Sequence, residues 1–193
     1  MFLISDDSWE VRQTKEKGQG IFCKKRIRAG TVISDYLGTA INTAEYDLET
    51  DKKGLYLMYY SDKISIYPDL SKPGPHLLNH SCAPNCWMYV YRGHTLFFAL
   101  RDVEIDEELT ISYLLDPNEG SCRLCTHMCM CKSENCSKTM HLSKEKYIKW
   151  RTFQNHEVIK TRKIGAVVGK KLPPLPSYPS KIPRSSIYKE MYS

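Results

Sequence analysis

The sequence predicts a mostly β fold with short helices, followed by a metal-stapled loop and one C-terminal helix. Three observations predict it. Short runs rich in Val, Ile, Tyr and Phe recur through residues 1–115, each bounded by turn residues. Five of the eight cysteines crowd into residues 122–136. One segment only, SKEKYIKWRTFQNHEVIK at 143–160, reads as a long helix.

The elements follow in chain order. Residues 11–38, VRQTKEKGQGIFCKKRIRAGTVISDYLG, read as short strands broken by Gly turns: IFCKK, a turn at RAG, then TVISDYL. TAEYDLETDKK (43–53) reads as a short helix and a polar loop. LYLMYY and ISIYPDL are β-rich and aromatic. CWMYVY, a turn at RGH and TLFFALR form a hairpin pattern, and EIDEELTISYLL is an acidic turn feeding a strand. Residues 116–140 are too few to fold without a staple. Residues 172–193 hold five of the ten prolines and are expected to be extended or disordered. There is no internal repeat.

Composition sets the outer bounds. A chain of 193 residues, 41% hydrophobic and 11% aromatic, suits one main domain with a small appendage. Such a length buries roughly two-thirds of its extended-chain surface, so no disulfide scaffold is required. MFLISDDSWE carries acids by position 6 and no long apolar run, so no signal peptide is expected. No stretch approaches the ~18 apolar residues of a membrane span. The expectation is a soluble, intracellular protein.

Charge is unevenly spread. Residues 1–136 carry 15 Lys and Arg against 19 Asp and Glu, a net of −4. Residues 137–193 carry 13 against 3, a net of +10. An acidic domain suits a basic peptide substrate. A basic tail suits nucleic acid, an acidic protein or an anionic surface, or is simply a solvated face.

The cysteines are Cys23, Cys82, Cys86, Cys122, Cys125, Cys129, Cys131 and Cys136. Without a signal peptide, dense short spacings favour a metal over disulfides. Cys129, Cys131 and Cys136 put three thiolates in one short loop, and zinc takes four ligands. The fourth comes from Cys122, Cys125 or a distant residue, for which Cys82 is available. Cys23 and Cys86 read as plain buried thiols.

HLLNHSCAPNC (76–86) sets Asn79 and His80 directly after two leucines, where polar groups need partners. KGQGIF (17–22) pairs two glycines beside a strand, which lets backbone approach a ligand or merely turns a hairpin. DYLG (35–38) and ELTISYLL (108–115) each set a tyrosine at a strand end, and singly a strand tyrosine is usually core. Their order along the chain is the distinctive feature.

That ordered set, carried above all by NHSCAPN and EELTISY, resembles the SET-domain protein lysine methyltransferases with their zinc-binding post-SET module. The resemblance covers residues of about 10–136. It implies a SET-domain-like β-clip of small sheets, with the NHSC segment threaded beneath EELTISY in a pseudoknot. It makes 8–116 a SET-like catalytic domain and 117–140 a post-SET-like zinc module, while pattern and composition make 141–171 a basic helical extension and 172–193 a Pro-rich tail expected to be flexible. It implies S-adenosylmethionine as methyl donor, lined by Lys17, Gly18, Gln19 and Gly20, with Tyr56, Asn79 and His80. It implies one structural zinc on Cys82, Cys129, Cys131 and Cys136, with Cys122 and Cys125 left as competitors for the Cys82 position.

Lysine methylation is a direct displacement by a neutral amine, although free lysine has a pKa of about 10.4. A narrow apolar channel and the sulfonium charge depress that value, and the protein supplies alignment. The resemblance assigns Tyr113 as the main catalytic tyrosine and Tyr36 as a channel tyrosine. Glu107 and Glu108 hold the turn or face the substrate peptide. Three positions depart from the family pattern: Asp35 replaces Glu, His76 replaces Arg, and Ile111 replaces Phe or Tyr. The last predicts more than one methyl per lysine. The implied substrate is a lysine in a basic peptide, foremost a histone, which places the protein in the nucleus or on chromatin. A non-histone substrate and an inactive SET-fold binding module are the alternatives. The clusters KTRK (160–163) and KK (170–171) suit nucleosomal DNA or a nuclear address.

Overall fold

The computed structural model describes residues 1–45, 56–118, 127–153 and 166–182. Its strands are β1 (Trp9–Gln13), β2 (Gln19–Cys23), β3 (Val32–Asp35), β4 (Thr39–Asn42), β5 (Met58–Tyr59), β6 (Ile64–Tyr67), β7 (Asn79–His80), β8 (Cys86–Tyr91), β9 (His94–Ala99) and β10 (Glu108–Ile111). One α-helix, α1 (Lys144–Phe153), follows. The strands form three small sheets, ordered β1-β2-β10-β7, β3-β9-β8 and β4-β6-β5.

The first sheet carries the crossing that the motifs require. β10 pairs antiparallel with β2 and parallel with β7, so Thr110 faces Asn79 and Ile111 faces His80. The Ser81 amide extends the pairing to the Ile111 carbonyl at 2.8 Å. Asn85 then grips β10 with its side chain. Its Oδ1 accepts the Thr110 amide at 2.8 Å, and its Nδ2 donates to the Glu108 carbonyl at 2.8 Å. A side-chain amide thus stands in for a neighbouring strand, satisfying backbone groups that burial would orphan.

β8 and β9 form the expected hairpin around Arg92 and Gly93, both at positive φ. β9 is buried along its whole length because β3 and β8 flank it on both edges. The main core joins Ile21, Ile33, Ile66, Leu78, Phe97 and Leu109. A second cluster sets Trp150 of α1 edge-on to Trp87, with ring centroids 6.2 Å apart, beside Phe98 and Leu114. The helix therefore docks through Trp150, while Ile148 faces outward. The helical reading of 154–160 and the KTRK cluster lie outside the described residues, as do 46–53 of the expected short helix. Thr43–Glu45 form a 3-10 turn.

Residues 172–182 are extended, and with 166–171 they run along sheet edges. Ala40 donates to Lys170 O and Leu172 donates to Gly38 O, whereas Val32 donates to Ser180 O. Gly38 shows why the Tyr-x-Gly motif ends in glycine: a Cβ there would lie 2.1 Å from the Tyr67 carbonyl oxygen. Among the described residues, no helix is long and apolar enough to cross a membrane.

Candidate active site and metal centre

Three motif segments meet where β2, β7 and β10 adjoin. Asn79 Nδ2 donates to the Gln19 carbonyl at 3.0 Å and to Glu108 Oε1 at 2.8 Å. The other Glu108 oxygen takes the Lys17 ammonium. Gly20 sits in the middle, where a Cβ would lie 2.6 Å from Glu108 Oε1 and 2.8 Å from Asn79 Nδ2. Only glycine fits, because any side chain would push the Asn79–Glu108 contact apart. Asn79 is 8% exposed, and among the described residues nothing donates to its Oδ1.

His80 is held on both ring nitrogens. Nδ1 accepts the Tyr113 amide at 3.2 Å, and Nε2 lies 3.6 Å from Cys82 Sγ. Burial, reinforced by Lys17, lowers its pKa to about 4, so the ring is neutral at pH 7. Its side chain thus orients Tyr113 and leaves only its backbone for a ligand.

Tyrosines collect beside this junction. The Tyr36 hydroxyl donates to the Tyr56 carbonyl, and burial pushes its pKa far upward. Tyr113 is 37% exposed as a residue, yet its hydroxyl turns inward and donates to the Leu78 carbonyl at 3.2 Å. Burial pushes its pKa up to about 12, helped by Tyr56. His80 and Tyr113 stack edge to face with centroids 5.4 Å apart. Tyr56 meets His76 the same way at 5.3 Å. Ile111 is buried in strand register with His80. The arrangement presents neutral hydroxyls and inward carbonyls, which can align an amine.

Among the described residues, four cysteines come together. Sγ atoms of Cys82, Cys129, Cys131 and Cys136 all lie within 4.8 Å of one another. Cys82 is 3.6 Å from Cys129 and 4.0 Å from Cys136. A tetrahedral zinc with bonds of about 2.3 Å spaces its sulfurs by roughly 3.8 Å, so the four thiols fit such an ion. Burial resists ionisation of Cys131, but the Ser133 hydroxyl and the Cys82 amide outweigh it and lower its pKa. Burial raises that of Cys129. Cys122 and Cys125 lie outside the described residues.

The sequence leaves Glu107 and Glu108 between the turn and the substrate peptide, and gives Asn85, His94 and Tyr178 no role. Glu107 does hold the turn, through Arg101, Asn85 and the Glu104 amide. Glu108 instead faces Lys17 and Asn79, because the next β10 position points the opposite way. Asp35 is fully buried and takes His94 Nδ1 and the Tyr178 hydroxyl on one oxygen, each at 2.7 Å. Asn85 was visible as the last polar residue of NHSCAPN, but nothing in one dimension tied it to β10.

A family model described as SET domain matches residues 18–114. Among similar proteins, the Variant-silencing SET domain-containing protein of Plasmodium falciparum (isolate 3D7) is 32% identical over 150 residues, covering 70% of this chain and 6% of its own length. The Probable histone-lysine N-methyltransferase set-23 of Caenorhabditis briggsae is 31% identical over 149 residues, covering 69% and 61%. The Histone-lysine N-methyltransferase, H3 lysine-9 specific, of Schizosaccharomyces pombe (strain 972 / ATCC 24843) is 34% identical over 125 residues, covering 54% and 25%. The chain thus spans less than two-thirds of the length of each of these relatives.

Proposed function

This chain belongs to the SET-domain family, and from that premise we propose that it is a protein lysine N-methyltransferase using S-adenosylmethionine, with a histone lysine as substrate. The observation that carries the reading is the junction of KGQG, Asn79-His80 and Glu108–Tyr113 around one site. The relatives' names, histone-lysine N-methyltransferases among them, support the substrate class and a nuclear or chromatin location.

S-adenosylmethionine, when bound, supplies an electrophilic methyl on a sulfonium. The residues fit such a ligand. Asn79 Oδ1 and the Glu108 carboxylate are acceptors suited to an α-ammonium, and Lys17 is a cation suited to a carboxylate. Lys17, Gly18, Gln19, Gly20 and Tyr56 would line the site together with the backbone of Asn79 and His80. Tyr113 acts by alignment. Its hydroxyl proton is committed to Leu78, so its oxygen lone pairs remain to meet the incoming amine. Tyr36 lines the channel, its hydroxyl held by Tyr56. Ile111 leaves room where a bulkier ring would stand, which favours di- or trimethylation. Mass spectrometry finding only monomethyl product would sink that extension. Cys82, Cys129, Cys131 and Cys136 would hold one structural zinc.

The test is transfer of labelled methyl from S-adenosylmethionine to nucleosomes, free histones and a whole-cell extract, with Tyr113→Phe as control. Label on a histone, lost in the control, is the expected result. Label on another band keeps the enzyme and overturns the histone substrate. No label in any mixture overturns the transferase.

A further inference from the structure

The C-terminal segment 166–182 belongs neither to the candidate active site nor to the cysteine cluster. It is a strap. Along β4, Gly169 and Leu172 amides donate to Ala40 and Gly38 carbonyls, both at 2.8 Å. Along β3, the Ser180 carbonyl accepts the Val32 amide at 3.0 Å, and the Ile182 amide reaches Gly30 O at 3.2 Å. Tyr178 lies between these two anchor points. Its hydroxyl accepts the Leu175 amide at 2.9 Å and donates to Asp35 Oδ2 at 2.7 Å.

Asp35 is a demanding partner. It is buried, His94 Nδ1 shares the same Oδ2, and among the described residues Oδ1 has no hydrogen-bond partner. A buried carboxylate with one oxygen unpaired depends on every donor to the other. Its chain neighbour is Tyr36, whose amide donates to Thr95 O and whose hydroxyl donates to Tyr56 O. A shift of Asp35 therefore carries Tyr36 with it.

We propose that Tyr178 is a positioning residue for the methyl transfer, fixing the ring of Tyr36 through the Asp35 carboxylate. Its kinetic consequence rests on the proposed function; its geometric content does not. The strap thus reaches the lysine channel from behind, by one hydroxyl, across a side chain that no substrate touches.

The experiment is Tyr178→Phe in the full chain, which keeps the ring and removes only the hydroxyl. The expected result is a kcat about tenfold lower, with KM for S-adenosylmethionine within about twofold of wild type, as a small misplacement of an aligning group produces. Tyrosine-ring 13C NMR is the second readout. The Tyr36 signal, assigned with Tyr36→Phe, moves in Tyr178→Phe, while that of Tyr113 stays. An unmoved Tyr36 signal overturns the proposal, as does an unchanged kcat in an active enzyme. Loss of folding in Tyr178→Phe also overturns it, since the hydroxyl would then be a stability element. A wild-type chain with no transferase activity sinks the function alone, because the Tyr36 signal still reports the coupling.

Discussion

Replacing Asn85 by alanine tests whether one side chain holds the crossing of NHSCAPN and β10 together. Asn85 is 2% exposed and makes three bonds of good length: from the Thr110 amide at 2.8 Å, to Glu108 O at 2.8 Å and to Glu107 Oε1 at 2.9 Å. Alanine leaves the Thr110 amide and the Glu108 carbonyl buried without that partner. Each orphaned group costs about 1–3 kcal/mol, while Glu107 keeps Arg101 and loses little. The two together cost about 2–6 kcal/mol, a large share of the roughly 5–15 kcal/mol that holds a domain folded. Urea unfolding followed by tryptophan fluorescence is the assay, with buried Trp87 as reporter. The midpoint should fall sharply at unchanged slope. Asn85→Asp sharpens the test. It keeps the acceptor for Thr110 but turns the donor side into an oxygen facing Glu107. The new carboxyl's folded pKa is therefore raised, so stability is present at acid pH and lost as pH rises through that value. An alanine variant within about 1 kcal/mol of wild type would refute the reasoning.

Other outcomes follow from the same geometry. Cys82→Ser should drop bound zinc from about one per chain to well below half; undiminished zinc would move the fourth ligand to Cys122 or Cys125. Glu108→Gln removes the partner of Lys17 and weakens the orientation of Asn79. It should raise KM for S-adenosylmethionine about five- to tenfold, as for loss of one charge-assisted bond, and leave the peptide KM unchanged. The Tyr113 hydroxyl, pushed up to about 12, remains protonated where a free tyrosine ionises near 10. The rate should therefore rise with pH as substrate lysine deprotonates, with no falling limb below pH ~10; a fall near pH 9 would contradict the burial of that hydroxyl.

Local patterns made the strands legible. Alternating or continuous apolar runs predicted β2, β3, β8 and β9, and their observed ranges fall within or beside those runs. Motif order made the junction of Asn79, His80 and Tyr113 legible, because Asn79 and His80 pair with the end of β10 and Tyr113 follows two residues later. Thiol spacing could not show that Cys82 lies beside Cys129, since the two are 47 residues apart and only folding brings them together. The Asp35, His94 and Tyr178 contacts were illegible for the same reason. They join three segments through single polar atoms, which leave no periodicity in the chain. The prolines of 172–193 pointed to an extended or disordered chain, and nothing in them pointed to the sheet edges along which 172–182 lie.

Cys82 belongs to two neighbourhoods at once. It touches Cys129 and, from two residues away, the ring of His80, which in turn holds the Tyr113 amide. On the proposed function, this chain of contacts is a path by which metal and cofactor would be linked. Linkage is reciprocal: whatever factor zinc adds to the affinity for S-adenosylmethionine, the cofactor must add to the retention of zinc. Where that factor exceeds one, a chelator at equilibrium takes less metal from the protein holding cofactor than from the protein without it.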